Sequence, residues 1–233
     1  MTIAERPLTL GEVFAETTRL YGDRVWAALA LGGLSAAAFV GGVLVHPAVL
    51  VLAIAVAVTV GWAAATRLAA GDGLVEALGQ VAVRAPLLLV FTVVATIPFA
   101  LILTQNVVVT FAVHILFAVA WLAATGFSIP VVMVERAPEE ERGVQLLGWI
   151  LRRSLALARA EFVHAVGVIA ALAIAYFLLF VLLNGALRGF AEQAEVAAAA
   201  LAQAVLAPFF CLGRAVLYFE QRARAVSSRG GRR

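Results

Sequence analysis

Six times along this chain, apolar residues hold for about the twenty positions that an α-helix needs to cross the hydrocarbon core of a bilayer. The runs lie near Val25 to Val45, Ala48 to Thr66, Pro86 to Thr104, Val108 to Val134, Phe162 to Leu187 and Val196 to Phe219. In lipid no water is at hand to satisfy backbone N–H and C=O groups, so a spanning segment must bond its own backbone, and a helix does this within one segment. Composition argues the same way. Hydrophobic residues make up 64% of the 233, charged residues 13%, and the mean hydropathy is +1.03, which leaves too little polar surface to cover a water-soluble domain. The expected fold is all-α: a polytopic transmembrane helical bundle of six spans.

The spans pair into three hairpins, with turns near His46 and Pro47, near Gln105 and Asn106, and between Arg188 and Glu195. None of these turns is long enough to hold a folded domain. Before each hairpin comes an amphipathic stretch too polar to cross, expected to lie at the membrane interface. In the first, Leu10, Val13, Phe14 and Thr17 follow helical spacing opposite Glu12, Glu16, Arg19 and Asp23. Thr9 and Glu12 have the spacing of a capping box, with Leu8 and Val13 as its hydrophobic staple. The second opens at Asp72, sets Leu74, Leu78 and Val81 against Glu76, Gln80 and Arg84, and is expected to end at Pro86. The third is expected from about Pro138, where Glu139, Glu140 and Glu141 suit the positive end of a helix dipole, and it continues through Leu147, Ile150, Leu151 and Ser154.

Arg24, Arg84 and Arg159 each close one of these stretches just before a hairpin. The pattern reads as three copies of one unit, surface helix, span, span, over about 8–70, 71–136 and 137–224. Together they make a single domain, 1–224. The Gly- and Arg-rich residues 225–233 are expected to form a disordered basic tail.

With an even number of spans, both termini and the two long connectors share one side. All seventeen basic residues are Arg, and sixteen fall on that side; only Arg188 lies opposite. Basic flanks resist translocation, so the termini are expected in the cytoplasm of a bacterial cell, with the bundle in its inner membrane. Glu5, Glu12, Glu16 and Asp23 precede the first apolar run where a secretory signal would carry a basic leader, so no cleaved segment is expected. Cys211 is the single cysteine, which excludes an intramolecular disulfide.

The arginines that flank the spans, Arg24, Arg84, Arg152, Arg153, Arg159, Arg222 and Arg224, are candidate contacts to anionic phospholipid headgroups, or they do no more than set topology. Gly33, Ala37 and Gly41, then Gly61, Ala65 and Ala69, recur at four-residue spacing and are expected to let helices approach closely. Pro98, Pro130 and Pro208 interrupt spans and are expected to bend them. His114 falls about 12 Å from its outer turn, near the bilayer centre, and is the candidate intramembrane polar site. Arg214 is close enough to the boundary to snorkel, and His164 belongs at headgroup level. No paired acids lie in the spans, and no metal-binding HExxH or phosphate-binding Gly loop occurs. Ser154 has no adjacent His to activate it. An enzyme, a cofactor, a metal site and a nucleic-acid partner are not expected.

Three motifs carry a likeness to known proteins: Leu10-Gly11-Glu12-Val13-Phe14 leading to Arg19-Leu20-Tyr21; Arg153-Ser154 with Leu157-Ala158-Arg159; and Tyr218-Phe219-Glu220-Gln221-Arg222-Ala223-Arg224. On these the chain resembles a bacterial family of six-span membrane proteins related to the membrane domain fused to some glycerophosphodiester phosphodiesterases. That family commonly has Asp where this chain has Glu220, which keeps the charge. The resemblance implies a stand-alone membrane module without the hydrolytic domain, or a membrane platform for a separate phosphodiesterase. The leading expectation is a non-catalytic module that engages anionic lipid or a membrane partner. The alternative is a small-solute or ion transporter using Pro-bent spans and His114.

Overall fold

The computed structural model describes residues 6–45, 47–103, 108–188 and 194–230, with side chains described over 6–42, 52–94, 117–186 and 196–227. These residues form α1 (Leu10–Asp23), α2 (Val25–Val45), α3 (Pro47–Ala70), α4 (Leu74–Leu103), α5 (Val108–Thr125), α6 (Ser128–Val134), α7 (Val144–Ala158), α8 (Phe162–Arg188) and α9 (Ala194–Gly230). Six segments are long and apolar enough to span: Val25–Gly42, Leu52–Ala70, Leu74–Val94, Phe117–Val134, Phe162–Ala186 and Val196–Ser227. The chain is a helical membrane bundle of three packed hairpins, α2 with α3, α4 with α5, and α8 with α9.

α1 starts where its sequence says. Thr9 N–H donates to Glu12 Oε2 at 2.8 Å and Glu12 N–H to Thr9 Oγ1 at 3.4 Å, so two orphan donors of the first turn are satisfied. The staple residues Leu8 and Val13 are both buried. The apolar stripe of α1 is spent on protein. Val13, Thr17 and Leu20 are buried, Phe14 and Tyr21 meet the ring of Phe209, and Tyr21 Oη donates to the Val205 carbonyl at 3.2 Å. α1 therefore lies along α9, where its sequence suggested a helix resting on lipid.

α9 is the hub, touching α1, α2, α3, α7 and α8. Its 37 residues extend about 55 Å, well beyond a hydrocarbon core of about 30 Å. The excess carries it past Ser227 into the segment that composition assigns to a disordered tail. Helix continues there through Gly230, with Ala223 buried and Ala225 packed on the core.

Three other expectations need correction. Pro86 does not end a helix: α4 runs straight through it. Ala77, Val81, Leu88, Phe91 and Thr92 form one buried stripe that spans the proline, and a break would pull half of it off its neighbours. The fourth span is not continuous. α5 stops at Thr125, Gly126 and Phe127 turn, and α6 restarts at Ser128. That restart puts Pro130 in a first turn, where its missing N–H costs nothing, and Ser128 Oγ donates to the Thr125 carbonyl at 2.6 Å. Finally α7 begins at Val144, not Pro138, because the chain turns from Pro138 to Glu141 and reverses at Gly143, whose φ of 56° favours glycine.

The prolines inside spans leave carbonyls that neighbours answer. Pro98 cannot bond the Val94 carbonyl, and Trp121 Nε1 on α5 donates to it at 2.9 Å. Pro208 leaves the Ala204 carbonyl without its helical donor. Gly32 of α2 sits so close that a Cβ there would lie 1.7 Å from that oxygen. The close approach of α2 is thus at Gly32; Gly33, Ala37 and Gly41 are exposed, and a Cβ on Gly33 or Gly41 would meet nothing within 4 Å. The second small-residue set behaves as expected, with Gly61, Ala65 and Ala69 all buried.

Candidate functional site: a polar core at the arginine-rich end

Charged side chains gather where α3, α6, α7 and α9 end or begin. Arg67 Nε donates to Asp72 Oδ2 at 2.6 Å, and its Nη1 reaches the Met133 carbonyl at 3.2 Å, which Arg84 Nη1 also approaches at 3.4 Å. Met133 is one residue from the end of α6, where carbonyls lack helical donors, so two arginines from neighbouring helices cap it. Arg24, the C-cap of α1, donates to the Asp72 and Gly71 carbonyls. Each of these bonds ties one segment of the end face to another.

A second set centres on α9. Glu135 receives Arg153 Nε at 2.6 Å and Tyr218 Oη at 3.1 Å. The bond to Glu135 pushes the Arg153 guanidinium above its ordinary range. Glu220, fully buried, accepts from Arg224 Nε and from Gln221 Nε2 at 2.9 Å, with His164 Nε2 3.7 Å away. Arg224 also pairs with Glu161 and donates to the Leu8 carbonyl at 2.7 Å. Of the motif residues singled out in the sequence, Arg153 and Tyr218 share Glu135 and Glu220 joins Gln221 to Arg224, whereas Ser154 Oγ donates to the Ala124 carbonyl at 3.0 Å. Sequence reading took Arg153 and Arg224 for headgroup contacts. Arg153 instead bonds Glu135, 18 positions away, and Arg224 the Leu8 carbonyl, 216 positions away, beyond any local spacing. The bonds of Glu220 to Gln221 and Arg224 are local.

The seven candidate headgroup arginines divide accordingly. Arg24, Arg84, Arg153 and Arg224 bond within the protein. Arg222 is half-buried near Tyr218. Arg152 and Arg159 are exposed, Arg152 at 73% of its side chain with Glu141 3.6 Å away. They flank exposed Leu155 on one stripe of α7, beside exposed Arg136 and Arg142 in the preceding loop. His114 lies on α5, but its side chain is outside the described residues.

Deeper, about 7 Å along α3 from Arg67, Arg214 is 3% exposed and does not snorkel. Its guanidinium carbon stacks 3.1 Å from the Trp62 ring centre and 5.7 Å from that of Phe210. Nη2 points to the Leu122 carbonyl, 3.5 Å away at the α5–α6 break, and a Cβ on Gly126 would lie 2.2 Å from that nitrogen. The break and the glycine make room for the guanidinium. Arg214 Nε and Trp62 Nε1 are both buried without a hydrogen-bond partner. Among the described residues, no carboxylate comes within ion-pairing distance of Arg214, and no three His, Cys, Asp or Glu side chains gather to hold a metal.

Fold and site together define a class, a multi-pass helical membrane protein with a buried arginine core. No family model, curated protein or solved structure matches the chain.

Proposed function

We propose that this protein is a non-catalytic membrane module whose α7 face contacts anionic phospholipid headgroups. The carrying observation is the exposed stripe of Arg152, Leu155 and Arg159 on an amphipathic helix whose other face, Ile150, Ser154, Leu157 and Ala158, is buried. α1 cannot serve the same way, since its arginine is consumed by Glu16 and Asp23. The exposed face of early α4 carries no exposed arginine: Val75 and Val83 are more than four-fifths exposed and Glu76 is exposed between them. On this reading the arginine-rich end faces the cytoplasm of a bacterial inner membrane. Each arginine near an anionic surface contributes about 1 kcal/mol, so Arg152→Gln with Arg159→Gln should weaken the preference for anionic lipid by about 30-fold. Lipid retention read by native mass spectrometry from nanodiscs of mixed phosphatidylglycerol and phosphatidylcholine checks this; an unchanged ratio rejects it.

A second reading, a small-solute or ion pathway, draws on the broken fourth span, since irregular backbone at membrane depth is tolerated where it is buried in protein or lines a cavity. Flux in proteoliposomes that disappears on His114→Ala supports it, and the absence of flux for any small ion rejects it.

A further inference from the structure

A guanidinium taken out of water needs acceptors around its five N–H donors or an opposite charge beside it. Arg214 has neither in adequate supply. One carbonyl stands at 3.5 Å, the limit of a hydrogen bond, and the faces of Trp62 and Phe210 supply attraction without accepting its N–H groups. The end-face carboxylates Asp72, Glu135 and Glu220 are engaged by Arg67, Arg153 and Arg224. Two buried donors, Arg214 Nε and Trp62 Nε1, belong to groups in stacking contact and both lack an acceptor. What the pair is missing is oxygen atoms carrying negative charge.

The surroundings are built for this cation. Gly126 is the one residue type that leaves space for Nη2, because any side chain would begin 2.2 Å from it. The span is interrupted at that point, between Thr125 and Ser128. Such an arrangement costs stability unless something is gained from a desolvated positive charge.

We infer that Arg214 and Trp62 form a binding site for a phosphate-type oxyanion at the α5–α6 break. A tetrahedral oxyanion accepts from Nε and Nη of one guanidinium in the forked geometry that arginine offers to phosphates, and the indole N–H adds a third donor. The oxyanion comes from free phosphate or from a phospholipid headgroup drawn about one and a half helical turns inward from the level of Arg67. This inference stands independently of headgroup contacts on α7.

The test uses the full chain purified in a phosphate-free maltoside detergent. Inorganic phosphate, titrated at constant ionic strength against chloride, should raise the thermal unfolding midpoint saturably, by about 3 °C or more, if the site takes the free ion. If it takes a headgroup, native mass spectrometry of the mildly delipidated protein should show one retained phospholipid, and phosphate should have no effect. In either case the signature should vanish in Arg214→Gln. Gly126→Ala, which keeps the charge but crowds the guanidinium, the Leu122 carbonyl and the Trp62 ring together, should weaken it at least tenfold. Wild-type protein that neither responds to phosphate nor retains a phospholipid overturns the site, whatever the variants do. So does a signature that survives in Arg214→Gln.

Discussion

At the scale of single residues, neighbours in sequence have opposite consequences. Gly32→Ala forces a Cβ into the backbone oxygen of Ala204, an obstacle that cannot rotate away. We expect a cost of about 3 kcal/mol in reversible unfolding in mixed micelles. Gly33→Ala meets nothing within 4 Å and should be neutral or stabilising by less than about 1 kcal/mol. Equal losses in the two variants would refute the α2–α9 contact as described. Small-residue spacing alone selected the wrong glycine, since Gly32, Gly33, Gly41 and Gly42 place small residues on more than one face of α2; only the freed carbonyl at Pro208 decides which one matters. The capping box, by contrast, is wholly local and was legible. Its Glu12 is held well below the usual range, at about 2, first by the Thr9 N–H and then by Arg6. A depressed carboxylate contributes stability above its unfolded value of about 4.5 and loses it as pH falls toward 2. The gap in unfolding midpoint between wild type and Glu12→Gln should be constant above pH 5 and close between pH 4.5 and 2. A gap that widens on acidification contradicts this.

Elements repeat the lesson that apolar length is legible and interruptions are not. Six runs of apolar residues located six spanning segments because hydropathy is summed over many positions. Whether a proline breaks a helix depends on what stands beside it. Pro86 is tolerated by a continuous buried stripe, Pro98 by Trp121, and Pro130 by a new helix start. Trp121→Phe keeps the ring but removes the donor to the Val94 carbonyl. It should cost about 1 kcal/mol and speed exchange of the amides around α4's proline; no change would mean that the carbonyl finds water. The three amphipathic stretches, similar in pattern, have three fates. α1 packs on α9, the second fuses with its span in α4, and α7 shows an arginine stripe outward. Arg24 and Arg159 are the C-cap residues of α1 and α7, whereas Arg84 lies inside α4.

For the whole molecule, the sidedness of the arginines and the bonds between segments agree. Leu8 meets Arg224, Arg24 meets the loop after α3, Arg84 meets α6, and Glu135 meets α7 and α9, so N-terminus, connectors and the far end of α9 share one face. The bundle closes around α9, and the polar residues of its last turns are interior because they join that face together. The most direct test is side-specific labelling of single cysteines in a Cys211→Ala background, using a membrane-impermeant maleimide on sealed vesicles of known orientation. Cysteine at Gly73, Glu140 or Ser227 should react from one side, and cysteine at Gln105 or Glu192 only from the other. Labelling of positions 73 and 105 from the same side would contradict the three-hairpin bundle.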